Sequence, residues 1–395
     1  MSYSLIYNTL FFIFGLLFFS SFSSVLFFNI ISIGLYIIEP ALLAIVAMLL
    51  VDERGGIKLT LREWTYISIV TAVFLYLLLI GAAETNLKDS LSSGRGIFYL
   101  FLLLPFASSI KEKHKYFIFY ITFGILIGDL LASLYNMEFS SSYRGISAMN
   151  IISLSLLCTS TYLIGGKIRY LLVIPLCFVA VFLSGFRVII LAIVFGLLTP
   201  HLISILKDGL LSGIKKIVLA MVALISLPVL IINIAPYFSN TYSFAVYRIV
   251  NRSLDAFHAL GSDHDSVSRY ESIIGIDKVY NYIDIYPNGF LMIGKKLVGF
   301  FNDAPYLHIL SVFGTFLGFL IIFTIYIVCI ANLFIIIRQK AHGYTNLLFA
   351  SQIPIMVIVT LINGRFLYIP YEVVLFSLIL GYLMQRILTL TTGKH

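Results

Sequence analysis

The sequence predicts an all-α fold: a polytopic membrane bundle of about twelve transmembrane helices with one long loop. Apolar residues make up 60% of the chain and charged residues only 11%, with a mean hydropathy of +1.03. A soluble domain has about 45–50% apolar and roughly 25% charged residues. The apolar residues also form runs of about 20, the length that crosses a bilayer as a helix. A membrane barrel would instead show alternating strands of about ten residues.

Twelve candidate spans follow one another along the chain. The first two come from one apolar run that is divided only by the serines near Ser20–Ser24. The seventh and eighth are divided only by Ser184-Gly185-Phe186-Arg187. Because both divisions are short, eleven to thirteen spans are compatible with the sequence. The candidate spans are 5–22, 26–50, 64–83, 95–110, 116–135, 145–165, 168–184, 186–206, 217–235, 306–337, 344–363 and 367–390.

The positive residues predict an orientation. Lys and Arg concentrate in cytoplasmic connections. With the N-terminus in the cytoplasm, fifteen of the 26 Lys and Arg residues fall on that side. We therefore expect both termini in the cytoplasm. The chain then divides into helices 1–9 (1–235), a long loop on the opposite side of the membrane (236–305), and helices 10–12 with a cytoplasmic C-terminus (306–395). The short outer loops hold only Lys88, Arg95, Arg144, Arg187 and Arg365.

The outer loops are rich in Arg, whereas the cytoplasmic connections are mostly Lys. The planar Arg side chain binds phosphate in a bidentate manner, so the outer face is suited to phosphate, or more simply to lipid headgroups. The net charge of +8 is scattered between apolar spans. A nucleic-acid interface would be a clustered basic stripe, and we expect no nucleic-acid partner.

The sequence indicates neither a disulfide framework nor a metal site. Cys158, Cys177 and Cys329 fall inside apolar spans without a CxxC motif, and we interpret them as packing or lipid-facing residues. The group His258, Asp263, His264 and Asp265 matches no standard ligand spacing. The long loop contains no G-x-S-x-G, P-loop or H-E-x-x-H motif. We expect surface helices there, one at 266–282, and a turn at Tyr286-Pro287-Asn288-Gly289.

Three patches carry a family resemblance. The first is Leu183-Ser184-Gly185-Phe186-Arg187, followed by an apolar helix. The second is Ser268-Arg269-Tyr270-Glu271 and then the run 283–294, with a Pro turn and a final glycine. The third is Asp303-Ala304-Pro305-Tyr306-Leu307-His308, followed by Gly314 and Gly318. Together with the span count and the long loop, they resemble the O-antigen polymerase and ligase superfamily of bacterial envelopes (Wzy-type polymerases and lipopolysaccharide core ligases).

This resemblance implies a protein of the bacterial inner membrane whose long loop lies in the periplasm. It also implies glycosyl transfer between lipid-linked saccharides. An acceptor hydroxyl would attack the anomeric carbon of a glycan on undecaprenyl diphosphate, with inversion and without a metal or cofactor. The implied base is Asp303 or His308; Asp303 has the family position, and His308 has the more suitable pKa near neutral pH. Other implied partners are membrane lipids and a chain-length regulator. The implied diphosphate or glycan ligands are Arg187, Arg248, Arg252, Arg269, Arg144 and Arg365.

Two alternatives accompany the polymerase interpretation. A ligase would move the finished glycan to lipid A-core, but the ligase pattern has His-Asn about eleven residues before the first glycine, where this chain has Asp303. A flippase or other transporter would favour internal repeats and interrupted helices at the midplane. Glu39, Asp129 and Glu372 lie within or beside spans and would either pair with cations or relay protons. Gly314 and Gly318 are expected to permit close helix packing.

Overall fold

The computed structural model describes residues 3–26, 60–84, 87–110, 115–139, 151–164, 167–184, 187–208, 218, 283–290, 305–338, 343–362, 367 and 370–391. Every regular element in these ranges is helical, which confirms the predicted class. The helices are α1 (Tyr3–Phe18), α2 (Ser21–Ser24), α3 (Leu61–Glu84), α4 (Leu87–Leu102), a 3₁₀ helix (Leu104–Ser109), α5 (Lys115–Phe139), α6 (Ile151–Ile164), α7 (Lys167–Ser184), α8 (Arg187–Asp208), α9 (Pro305–Arg338), α10 (Tyr344–Ala350), α11 (Ile353–Ile362) and α12 (Pro370–Thr391).

Several of these helices are suited to a bilayer. Within the described ranges, five helical segments are long and apolar enough to cross a membrane, and they mark the chain as a helical membrane protein. They are Leu61–Glu84, Tyr116–Tyr135, Pro305–Arg338, Tyr344–Leu361 and Glu372–Leu390. The predicted spans 26–50 and 217–235 lie almost entirely outside the described residues. The predicted loop 236–305 does so too, apart from Ile283–Phe290 and Pro305.

The chain forms two compact units, and each is described by itself. The first comprises Met1–Ala44, Lys111–His258 and Ile335–Ile355. In it α1 lies along α5, and α6 packs against α5 and α8. Every residue of α6 from Ile151 to Thr161 is buried, so this helix faces protein rather than lipid. It is rich in Ser and Thr, small residues that let neighbouring helices approach closely.

The second unit comprises Ile45–Ile110, Ala259–Phe334 and Met356–His395. In it α3 packs on α4, and α12 packs on α4 and on the 3₁₀ helix. The Ser377 hydroxyl of α12 donates to Leu100 O at 2.6 Å, and the Gln385 amide donates to Pro105 O at 3.2 Å. Such bonds satisfy carbonyls that no water reaches in the bilayer core. The outer side of α3 exposes large apolar side chains to lipid, among them Trp64, Ile69, Val73, Tyr76 and Leu79.

Two predicted divisions coincide with helix ends. The α1 helix ends at Phe18 and α2 begins at Ser21, with Ser20 as its N-cap. Likewise α7 ends at Ser184 and α8 begins at Arg187. Ser20 acts as a cap because its hydroxyl accepts from the Phe22 N–H at 3.2 Å. Serine therefore marks a helix end here even within an apolar run.

One expectation was wrong and another is narrowed. Helix α4 begins at Leu87, eight residues before the predicted start at 95, so Arg95 lies inside a helix and not in an outer loop. Hydropathy missed this start because Lys88, Asp89 and three serines precede Arg95. Of the two interpretations of the cysteines, burial favours packing over lipid exposure, since all three are at most 1% exposed.

Candidate functional site

A short segment of the predicted long loop is fixed inside the second unit. This docked segment, Ile283–Phe290, is extended, with bends at Ile285 and Tyr286. Its carbonyl at Asp284 accepts the Thr315 N–H at 2.9 Å and the Thr315 hydroxyl at 3.0 Å. Its Gly289 N–H donates to Val312 O at 3.3 Å. The segment is thus held by hydrogen bonds to α9.

Those bonds are available because α9 is broken at Gly314. In an unbroken helix, Thr315 N–H would donate to residue 311 and Val312 O would accept from residue 316. Gly314 has φ 77° and ψ 167°, a conformation that interrupts this ladder and suits only glycine. A Cβ at this position would also lie 2.5 Å from Ile285 O. The glycine therefore allows both the break and the close approach of the docked segment.

The break folds the first turns of α9 back on the rest of the helix. A Cβ at Gly318 would lie 2.8 Å from the Cα of Leu310. Residues eight apart in a straight helix are roughly 12 Å apart along the axis, so the bend is sharp. The expected close packing at Gly314 and Gly318 is present, but its partners are the docked segment and the start of α9 itself. They are not a neighbouring helix.

The docked segment ends in an aromatic anchor. Phe290 is fully buried; its N–H donates to Leu77 O at 3.2 Å and its carbonyl accepts from the Ser90 hydroxyl at 2.9 Å. The Phe290 ring lies 5.1 Å from that of Phe74, centroid to centroid. An apolar cavity of about 170 Å³ adjoins the anchor. Its lining includes Phe74, Phe98, Phe101, Phe290 and Phe313.

His308 is the one predicted base that the structure describes. It lies in the first turns of α9, six residues before the break, and is 3% exposed. Its carbonyl accepts from the Ser311 hydroxyl at 3.0 Å. His308 is therefore packed in the short helical arm to which the docked segment is bonded. The competing candidate, Asp303, lies outside the described residues.

Of the predicted cations, the structure describes the backbone of Arg187 alone. Arg187 is the first residue of α8, in the first unit. The remaining predicted ligands lie outside the described residues: Arg144, Arg248, Arg252, Arg269 and Arg365. Their roles stay predictions.

Two charged residues lie along the contact of α4 with α12. Ser377 of α12 donates to Leu100 O of α4. Glu372 lies five residues before Ser377 and is fully buried. Arg95 lies five residues before Leu100 and is partly buried. Ionisable residues among membrane helices are costly and usually functional or paired. The sequence signal for Arg95 is its place between Gly94 and Gly96, because small flanking residues are typical of a packed helix.

Asp129 has a structural partner in the first unit. It is buried, and its Oδ1 accepts the Ser21 N–H at 2.7 Å, at the start of α2. The carboxylate thereby satisfies a backbone donor that the break between α1 and α2 frees. This favours the pairing interpretation of Asp129 over a proton relay, with the Ser21 backbone N–H as a partner.

The described residues contain no group of three or more His, Cys, Asp or Glu side chains arranged to hold a metal. No family model matches the chain, and no curated protein or solved structure matches it either.

Proposed function

We propose that this chain is a surface-polysaccharide polymerase of the O-antigen type. It would join undecaprenyl-diphosphate-linked oligosaccharide units at the outer face of the bacterial inner membrane. About twelve spans, cytoplasmic termini and a periplasmic loop at 236–305 belong to this proposal. The acceptor is a hydroxyl of a second lipid-linked unit, and the product is a glycan longer by one repeat.

One observation carries the proposal furthest. The second and third sequence patches of the resemblance contact each other, through Asp284 with Thr315 and Gly289 with Val312. The bonded residues lie 31 and 23 positions apart in sequence, and nothing in the hydropathy pattern requires them to meet. The contact fixes residues 283–290 of the predicted loop to the helical arm that holds His308. A loop attached in this way is suited to form a wall beside a reacting glycan.

The proposed chemistry needs a base and cations. The base, Asp303 or His308, takes the proton of the acceptor hydroxyl as the hydroxyl oxygen attacks the anomeric carbon. The bond to the diphosphate breaks, and negative charge develops on the leaving oxygen. Arg187 and the loop arginines would stabilise that charge. The diphosphate is already a good leaving group, so the reaction needs no nucleotide.

A gene deletion separates the proposed function from its alternatives. Loss of a polymerase leaves single repeat units on lipid A-core, seen as one short band on a lipopolysaccharide gel. Loss of a ligase leaves long undecaprenyl-linked chains and none on the core. Loss of a flippase traps units in the cytoplasmic leaflet. A normal ladder of chain lengths in the deletion strain would rule out all three.

Within this test, Arg187→Ala is expected to remove the ladder, and Arg187→Lys to restore it only in part, because Lys lacks the bidentate fork. Arg169→Ala is the matched control, since the charge count assigns Arg169 to the cytoplasmic side. Immunoblots establish that each variant reaches wild-type levels. A wild-type ladder in Arg187→Ala would remove Arg187 from the site.

A lipid-linked oligosaccharide transporter is the second candidate, and one observation favours it. An apolar segment is interrupted between its helices α1 and α2. Interrupted helices near the membrane interior are typical of transporters. Trapping of lipid-linked units in the inner leaflet of the deletion strain would favour this candidate over the polymerase.

A further inference from the structure

Two cysteines that are 19 residues apart in sequence meet inside the first unit. Cys158 lies on α6 and Cys177 on α7, and their Sγ atoms are 3.9 Å apart. Both side chains are fully buried. The two helices are joined by residues 165 and 166 alone, which makes them close neighbours. No motif in the sequence predicts this pair.

The Cys158 side of the pair is held firmly in place. The neighbouring Thr159 hydroxyl donates to Gly196 O of α8 at 2.8 Å, and it accepts from the Gln352 amide at 3.0 Å. A Cβ at Gly196 would lie only 2.9 Å from the Cβ of Cys158. The α6 backbone at Cys158 is thus held by contacts with Gly196 of α8 and with Gln352.

The Cys177 side can adjust. Pro175 lies inside α7, two residues before Cys177. A proline within a helix removes one backbone hydrogen bond and permits a bend there. Closing a disulfide requires the sulfur atoms to approach to about 2.05 Å, which is a movement of roughly one S–C bond length. A χ1 rotation of one cysteine with a small bend at Pro175 supplies that movement.

We propose that Cys158 and Cys177 form a redox-active dithiol site that closes to a disulfide between α6 and α7. Both S–H bonds break and one S–S bond forms. The two electrons and two protons pass to a membrane-soluble quinone, which becomes the quinol. A quinone is the appropriate class of oxidant because the pair lies among apolar helices. The proposal does not rest on the polymerase function.

The disulfide has a defined structural effect. It closes a loop of about 20 residues, and such a crosslink restricts the unfolded chain and ties α6 to α7. Helix α7 leads through residues 185 and 186 into α8, which begins at Arg187. Oxidation would therefore fix the helix that precedes Arg187, while reduction would leave it free to bend at Pro175.

Thiol counting on the full-length protein in lipid nanodiscs tests the proposal. The protein is treated with a short-chain quinone whose ring carbons are all substituted, so that thiols can reduce it without adding to the ring. It is then denatured, labelled with N-ethylmaleimide and weighed by mass spectrometry. Untreated protein should take three labels. Treated protein should take one, on Cys329, and dithiothreitol should restore three. A peptide containing both Cys158 and Cys177 should carry the crosslink.

The single variants Cys158→Ser and Cys177→Ser are the matched controls, and each should take two labels before and after treatment. Three labels on treated wild-type protein, at a quinone excess that oxidises dithiothreitol, would overturn the proposal. So would loss of labels from the single variants to the same extent, because the disulfide would then join two molecules. A crosslink to Cys329 would likewise contradict it.

Discussion

Two helix breaks in this protein are closed by different means. Between α1 and α2, side chains close the break: the Ser20 hydroxyl accepts from Phe22 N–H, and the Asp129 carboxylate accepts from Ser21 N–H. In α9, backbone closes it: the docked segment offers the Asp284 carbonyl to Thr315 and the Gly289 N–H to Val312. Both satisfy groups that a bilayer would leave without partners.

The difference shows what each break depends on. The first relies on a polar side chain from α5, which stays in place for as long as α1 lies along α5. The second relies on a stretch of the predicted long loop and on a conformation that only glycine adopts readily. A change in the docked segment is therefore expected to affect α9 directly. The break between α1 and α2 depends instead on the packing of these two helices against α5.

The largest effect is expected at Gly314. Replacing Gly314 by Ala forces a side chain into a positive-φ conformation and against Ile285 O. Strain of this kind costs about 1–3 kcal/mol, and overpacking adds a similar amount. We expect a loss of about 3 kcal/mol in the free energy of unfolding, measured by SDS titration in mixed micelles. Leu317→Ala, on the exposed side of the same helix, is the control and should change it by less than about 0.5 kcal/mol. Equal stability of both variants would show that the docked segment does not hold the break.

A medium effect is expected at Asp129. Asp129→Leu removes the acceptor of the Ser21 N–H and leaves that donor unsatisfied, which costs about 1–3 kcal/mol. Asp129→Asn keeps a side chain of the same shape with an acceptor oxygen, and its free energy of unfolding should fall much less. The same unfolding titration compares the two. If Asn and Leu destabilise equally, the charge of Asp129 matters more than its hydrogen bond, and the capping explanation is wrong.

The smallest effect is expected at Thr315. Thr315→Val removes the hydroxyl bond to Asp284 O but keeps the backbone bond to the same oxygen. Hydrogen bonds of side chains in membrane proteins contribute about 0.6 kcal/mol on average, and we expect a loss of that size. Thr324→Val is the matched control, because the Thr324 hydroxyl donates only to Leu320 O of its own helix. A loss above about 2 kcal/mol at Thr315 would mean that the hydroxyl, and not the backbone, holds the segment.

The sequence predicted one of these breaks and missed the other. Serines near Ser20 are strong helix caps, and capping is a local property that a sequence displays. The break at Gly314 has no local signal, because the apolar run continues through it and its partner lies about 30 residues earlier. Two glycines four residues apart predict close helix packing. The pattern does not show whether the partner is a helix or an extended segment.

The site was less predictable than the fold. Hydropathy locates helices because burial in lipid is a property of each segment alone. Cys158 and Cys177 come together only through the packing of α6 on α7, and their spacing of 19 residues carries no signal. The sequence places Arg95 in a loop because the first residues of α4 are polar. These residues are helical in the structure, where Phe290 from a distant segment packs against them, and local hydropathy does not show such a contact. Asp303 and the loop arginines remain predictions.

The bend at Gly314 also determines how deeply the docked segment lies in the bilayer. The part of α9 after it, Thr315–Arg338, has 24 residues and is about 36 Å long, slightly more than the roughly 30 Å hydrocarbon core. If this straight part crosses the bilayer, Gly314 lies at the headgroup level, and the docked segment lies there with it. Ile285 and Tyr286 are 71% and 75% exposed at that level, where tyrosine is enriched at membrane interfaces. The two side chains would then act as an interfacial anchor that fixes the depth of this part of the protein in the membrane.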